Sequence, residues 1–178
     1  MLAETVSVIP LDTCVIRPFR EEDANSLAQY ANNRRVWRNL RDTFPHPYSL
    51  SDARQFIERT KRQDRETVFA IEVDAKAVGS IGVRLKDDVE CVSGELGYWL
   101  GEPFWGRGVM TDAVRAFSEF ALPEFGLQRL EAWVFQWNPG SARVLEKAGY
   151  RLEGTLRRSA IKDGQVIDRL LYAKLAQS

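Results

Sequence analysis

The stretch Gly94-Glu-Leu-Gly-Tyr-Trp-Leu-Gly-Glu-Pro-Phe-Trp-Gly-Arg-Gly-Val-Met-Thr-Asp-Ala113 decides how this chain is read. It opens on a strand signal over 95–100, turns at Gly101 to Pro103, and sets Gly106 and Gly108 on either side of Arg107, just before an amphipathic run. The order is strand, glycine loop, helix. Glycines at such a junction admit positive φ and let a ligand come close to the backbone, while the first N–H groups of the helix have no partner inside it. Donors so arranged bind anions, phosphates above all. Glycines also serve tight turns that bind nothing, and this stretch alone leaves both readings open.

A second strand-to-helix unit follows: Trp133-Val-Phe-Gln-Trp-Asn-Pro-Gly-Ser-Ala-Arg-Val-Leu-Glu-Lys-Ala-Gly-Tyr150. Asn138 is a natural N-cap, Pro139 suits the first helical position and Gly149 the stop. Taken together, the two units resemble the Gcn5-related N-acetyltransferases (GNAT) and, within them, the branch that acetylates ribosomal-protein N-termini (RimJ/RimL-like). The likeness runs from Arg17-Pro18-Phe19 to Leu171-Tyr172.

The resemblance implies acetyl-coenzyme A as co-substrate and no metal. It assigns the pyrophosphate to Phe104, Trp105, Gly106, Arg107, Gly108, Val109, Met110 and Thr111. Main-chain groups of Leu96, Gly97 and Tyr98 would meet the acetyl carbonyl, and Asn138 and Ser141 would lie beside the pantetheine arm. Trp105 fills the first place of the loop pattern, where Gln or Arg is usual and an aromatic is common in this branch. Met110 fills the last, where Gly or Ala is usual, and its bulk predicts a helix start held back from the phosphates. Leu145 stands where many relatives place a tyrosine, which leaves Ser141 or water to protonate the departing thiolate. Near position 160, where the branch often has an acidic residue, this chain has Ala160.

Acetyl transfer needs a neutral amine, and a carboxylate in an apolar strand has the raised pKa suited to a general base. Glu95 is the candidate; on the opposite face of the strand from Leu96 and Tyr98 it would instead be a solvated residue. Asn138 is explained by capping alone as well as by a ligand. Residues 34–48, rich in Arg, Trp and Phe and ending in two prolines, read as a shaped loop with its charges forming a solvated face; the resemblance implies that this segment shapes the acceptor site, with Trp37 and Phe44 lining a pocket. Asp168 offers either an acceptor contact or a strand-edge ion pair.

Composition sets the bounds. With 178 residues, 44% hydrophobic and 28% charged, the chain suits one folded domain over 1–178. Twenty-five basic and 25 acidic residues cancel, so binding to nucleic acid is not expected. Two cysteines, Cys14 and Cys91, make no disulfide framework, and the single histidine, His46, argues against a zinc site or a serine triad. Met-Leu-Ala-Glu carries no leader signal and no stretch reaches the ~18 apolar residues of a membrane span, so the expected location is cytoplasmic, away from membranes.

The remaining order is a strand over 14–19, helices to 33 and over 49–62, strands over 68–73 and 76–85, a helix ending before Pro123, then a strand over 130–135, a helix over 139–148 and strands over 150–157 and 166–174. This is α/β (α+β): a mixed, mostly antiparallel sheet of about seven strands with about four helices. The acceptor is a primary amine, either a protein N-terminus or amino acid, or a small amine such as a polyamine or aminoglycoside. An acyl-coenzyme A-binding module with weak chemistry is the alternative, and a homodimer is an admissible assembly. A kinase or nucleotide hydrolase is excluded by the lack of a Gly-Lys-Ser/Thr loop end.

Overall fold

The computed structural model describes residues 8–177. Its strands are β1 (Ile9–Pro10), β2 (Val15–Arg17), β3 (Val68–Val73), β4 (Lys76–Leu85), β5 (Ser93–Leu100), β6 (Arg129–Phe135), β7 (Arg151–Lys162) and β8 (Gln165–Leu175). They form one eight-stranded sheet in the order β1-β2-β3-β4-β5-β6-β8-β7. Every neighbouring pair is antiparallel except β5 with β6. The helices are α1 (Ala24–Ala31), α2 (Arg34–Trp37), α3 (Leu50–Lys61), α4 (Val109–Glu124) and α5 (Pro139–Lys147). None of the described helices is long and apolar enough to cross a membrane.

Period-two alternation gives the sheet two covered faces. Phe69 and Ile71 pack with Leu96, Leu100 and the α4 residues Val114 and Phe117, whereas Ala70 and the ring of Trp99 join Phe19, Leu27 and Ile57 under α1 and α3. The caps follow the local sequence. Ser49 Oγ accepts the Asp52 N–H at 3.1 Å while Asp52 accepts the Ser49 N–H at 2.8 Å, starting α3. Asn138 accepts from the Ser141 N–H at 3.2 Å, starting α5.

Four expectations are corrected. Residues 34–48 are not loop throughout: Asn33 Oδ1 accepts the Arg35 N–H at 2.7 Å and nucleates α2. The first strand is shorter than 14–19, and β1 pairs along its outer side. Helix α4 runs through Pro123 into Glu124, because a proline in the last turn forfeits a single ladder bond. Strand β7 extends to Lys162, with register shifts along its pairing to β8.

The feature that positions the site is a fork. Strands β5 and β6 pair only at Ser93–Arg129, Gly94–Leu130 and Glu95–Glu131. Past Glu95, residues Leu96 to Leu100 pair with β4 alone and Ala132 to Phe135 with β8 alone. Main-chain groups on the inner edges of the fork are left for something other than sheet.

Candidate active site

A cavity of about 1610 Å³ runs through the fork from the α4–α5 side to the α2–α3 side. It is larger than the ~300–1,000 Å³ usual for one small ligand, which suits two substrates meeting end to end.

On the α4 side the wall is backbone. Gly106 and Gly108 stand at φ +74° and +81°, which L side chains rarely adopt, and a Cβ on either would meet nothing within 4 Å. Among the described residues the N–H groups of 106–111 find no acceptor. Six consecutive free donors at the positive end of a 16-residue helix form an anion cradle. The Trp105 indole N–H donates to the Leu100 carbonyl at 2.7 Å and locks the turn. Phe104, Trp105, Gly106, Gly108, Val109, Met110 and Thr111 all line the cavity; Arg107 does not, its guanidinium lying 5.5 Å from the Phe104 ring centre. Met110, expected to hold the helix start back, lines the cavity and at 8% exposure also packs into the apolar core. The cations that do line this wall are Arg143 and Lys147, one turn apart on α5, and neither forms an ion pair among the described residues. Backbone donors and unpaired cations together fit a polyphosphate ligand such as coenzyme A.

At the centre of the fork, Tyr98 of β5 and Ser141 of α5 share a hydrogen bond of 2.6 Å between hydroxyl oxygens. Burial pushes the Tyr98 phenol well above its ordinary value, with the Ser141 bond opposing. Leu96, Gly97, Tyr98, Asn138 and Ser141 line the cavity, and a Cβ on Gly97 would meet nothing within 4 Å, leaving bare strand there. Leu145, at the place of the absent tyrosine, is fully buried. The phenol comes instead from the strand.

On the far side the wall is side chain. Glu95 lies on the face away from Leu96 and Tyr98, as one of the two sequence readings had it, but it is neither solvated nor in apolar surroundings. Its carboxylate is 13% exposed and held by Arg41 through one oxygen and Arg84 through the other. Phe44 lines the cavity and packs edge-on against Trp99 with ring centres 5.6 Å apart. Trp37 does not line it: its ring covers the Lys162 ammonium at 3.6 Å and stacks on His46. Lys162, 2% exposed, also bonds Asp42 at 2.6 Å, and Arg34 grips Asp163 at 2.8 Å through both oxygens. These bonds strap residues 34–42 to the β7–β8 turn, so the arginines of this segment are not merely a solvated face. Asp168 does not line the cavity and forms no ion pair among the described residues; its carboxylate accepts the Arg158 N–H at 2.7 Å. Ala160 lines the cavity.

Sequence reasoning missed the Tyr98 phenol, Arg143 with Lys147, and the Arg41–Glu95–Arg84 cluster. The i,i+4 spacing on α5 signals the second of these. Arg84 faces Glu95 directly across β4–β5, which the hairpin register implies. Nothing local signals Arg41, 54 residues away.

A family model described as an acetyltransferase (GNAT) domain matches residues 14–151. An uncharacterised N-acetyltransferase, p20, of Bacillus licheniformis is 28% identical over 90% of this chain and 91% of its own. The ribosomal protein uS5-alanine N-acetyltransferase of Escherichia coli is 28% identical over 91% of this chain and 87% of its own. Among solved structures, Mycobacterium smegmatis RimJ in complex with a coenzyme A disulfide superposes with a TM-score of 0.83 at 26% identity, covering 95% of this chain and 87% of that one.

Proposed function

This chain belongs to the GNAT acetyltransferase family, and on that premise we propose that residues 1–178 act as one acetyl-coenzyme A-dependent N-acetyltransferase domain whose acceptor is an α-amino group, of a protein N-terminus or a free amino acid. The observation that carries the choice of amine is the state of Glu95. Both its oxygens are taken by guanidiniums, and of the other lining carboxylates Asp42 is bound to Lys162 and Asp64 lies at the outer rim. A wall without a free base favours an amine already partly neutral. A peptide α-amino group, with pKa near ~8, meets that condition best; a side-chain or polyamine nitrogen near ~10 does not, and the amine of a free amino acid, raised by its own carboxylate, falls between them. The Escherichia coli relative, by its name, acts on an alanine of a ribosomal protein, which supports the same choice.

When bound, acetyl-coenzyme A supplies an acyl group activated as a thioester. The free N–H groups of 106–111 hold its pyrophosphate, and Arg143 and Lys147 take further phosphate charge. The unpaired edge of β5 beyond Glu95 offers main-chain groups to the acetyl carbonyl, where negative charge develops as the amine attacks directly from the Phe44 side. Ser141 gives a proton to the leaving thiolate, Tyr98 passes its own to Ser141, and the proton shed by the amine nitrogen in the tetrahedral intermediate returns through water to restore the phenol. Glu95 on this account orders Arg41 and Arg84 and takes no proton from the amine.

Calorimetric titration with acetyl-coenzyme A tests the first half: micromolar binding is expected, weakened ~10-fold without the 3′-phosphate. Turnover of an N-terminally free peptide against spermidine tests the second. A protein that binds no acetyl-coenzyme A, or prefers spermidine, does not fit this reading. Glu95→Gln separates the roles of the carboxylate: a base would lose ~100-fold or more in kcat, whereas an organiser of arginines costs mainly acceptor KM.

A further inference from the structure

The acceptor side of the cavity carries more positive charge than its own carboxylates neutralise. Arg41, Arg84, Lys162 and Arg169 line it, against Glu95, Asp42 and the exposed Asp64. Lys162 and Asp42 cancel as a pair at 2.6 Å. Arg41 and Arg84 share one carboxylate, each through Nη2 alone, so among the described residues the Nε and Nη1 groups of both have no acceptor. Their side chains are 59% and 64% exposed. Arg169 forms no ion pair among the described residues; its guanidinium lies 4.6 Å from the Trp133 ring centre and its Nε donates to Ser159 Oγ at 3.0 Å. At the outer rim Arg62 and Arg65 are paired to Glu58 and Glu124.

Two uncompensated guanidinium charges beside a bare strand at Gly97 form a place for an anion next to the reacting amine. A guanidinium with unused N–H groups in a fork is a carboxylate or phosphate receptor. A cationic acceptor would meet the same wall as repulsion, since Asp64, the lining carboxylate outside an ion pair among the described residues, is exposed and would hold a second ammonium only weakly.

We propose that the acceptor is an α-amine carrying a negatively charged group a few bonds away, and that Arg84 and Arg41, with Arg169 behind them, bind that group. This rests on the acetyltransferase reading above and narrows it. Two sources offer the same chemistry: the carboxylate of a free amino acid, and an acidic side chain next to a peptide N-terminus.

The experiment compares pairs that differ by one negative charge, each assayed across pH so that KM refers to the neutral amine. Alanine against alaninamide probes the first source, the amides of Ala-Glu-Ala against Ala-Gln-Ala the second, and spermidine serves as the cationic contrast. In at least one pair the acid is expected to show a KM ~10- to 100-fold below its neutral partner, the range of a charge-assisted hydrogen bond. Raising salt shrinks that gap. Arg84→Ala and Arg41→Ala each narrow it by raising the KM of the acid more than that of its neutral partner, and Arg84→Lys restores part of the gap, which a merely structural role would not do. Arg169→Gln is a further variant should either alanine protein melt early. Equal KM values in both pairs, or a preference for spermidine, overturn the proposal. If acetyl-coenzyme A binds and no amine turns over, the acetyltransferase reading itself fails. Calorimetry of the same pairs on the coenzyme A-loaded protein then decides: tighter binding of the acid upholds the anion site, and equal or absent binding overturns it.

Discussion

The two walls of the cavity are built from different materials. On the α4 side the functional groups are main-chain N–H donors presented by a glycine turn and a helix start, with two unpaired cations one turn apart on α5. On the α2 side they are guanidiniums, a carboxylate and aromatic rings, held by ion pairs and cation–π contacts between segments distant in the chain. Main-chain donors recognise a ligand that is the same for every turnover, and they need only the correct φ and ψ. Side chains recognise whatever differs between acceptors, and a single substitution retunes them. On the proposed reading, one wall serves the shared cofactor and the other sets the specificity for the acceptor.

The largest effect is expected from disturbing the backbone wall. Gly108→Val forces a branched residue into φ +81° with its side chain directed into the cradle. The strain alone is ~1–2 kcal/mol, and with blocked N–H contacts the affinity for acetyl-coenzyme A should fall ~100-fold in calorimetry. Loss of acceptor binding with cofactor binding intact would reverse the assignment of the two walls.

A smaller loss is expected at the junction. Ser141→Ala should lower kcat ~10-fold with cofactor affinity unchanged, because a thiol of pKa near ~8.5 leaves with modest assistance. Tyr98→Phe should do the same, and a double variant no worse than either single one would mark the two hydroxyls as one relay.

The pH profile sharpens the same point. Rate should rise with pH as the acceptor α-amine loses its proton, levelling above pH ~8. Burial raises the Tyr98 phenol above its ordinary value, so it keeps its proton through the alkaline range and no falling limb is expected below pH ~10. A decline near pH 8 to 9 would show that another group supplies the proton.

The least effect is expected at the strap. Lys162→Met removes the ammonium from the Trp37 ring and from Asp42, and a lost cation–π contact of ~0.5–1 kcal/mol should raise acceptor KM ~3-fold while leaving cofactor affinity alone. A shift in cofactor affinity instead would mean that the strap serves the other wall.

Legibility in the sequence follows the same division. The glycine turn, the Asn138 cap, the β3–β4 hairpin and α5 are local devices, each spanning a few residues with its own signature, and the chain shows them where they were expected. Pro123 misled about the end of α4, because a proline in a last turn costs one bond while the apolar face beyond it still gains burial. Met110 shows another limit: its position in the loop pattern is visible, but its packing into the core depends on how α4 sits on the sheet. Glu95 was correctly placed on its face of β5, yet its partner Arg41 comes from 54 residues away and no short-range pattern announces it. Trp37 looked like a pocket residue by type and is one face of a clamp on Lys162.

By itself the sequence determined most of the order of strands and helices and the two strand-to-helix junctions with their glycine turn and cap, since φ preference, capping and periodicity act between neighbours in the chain. Only the tertiary structure decided that β5 and β6 part after Glu95, that a tyrosine reaches Ser141 from the strand, and that two arginines close on one carboxylate. Those facts depend on where packing brings distant segments to rest. Side-chain chemistry across such contacts is settled by distances that no stretch of neighbouring residues contains.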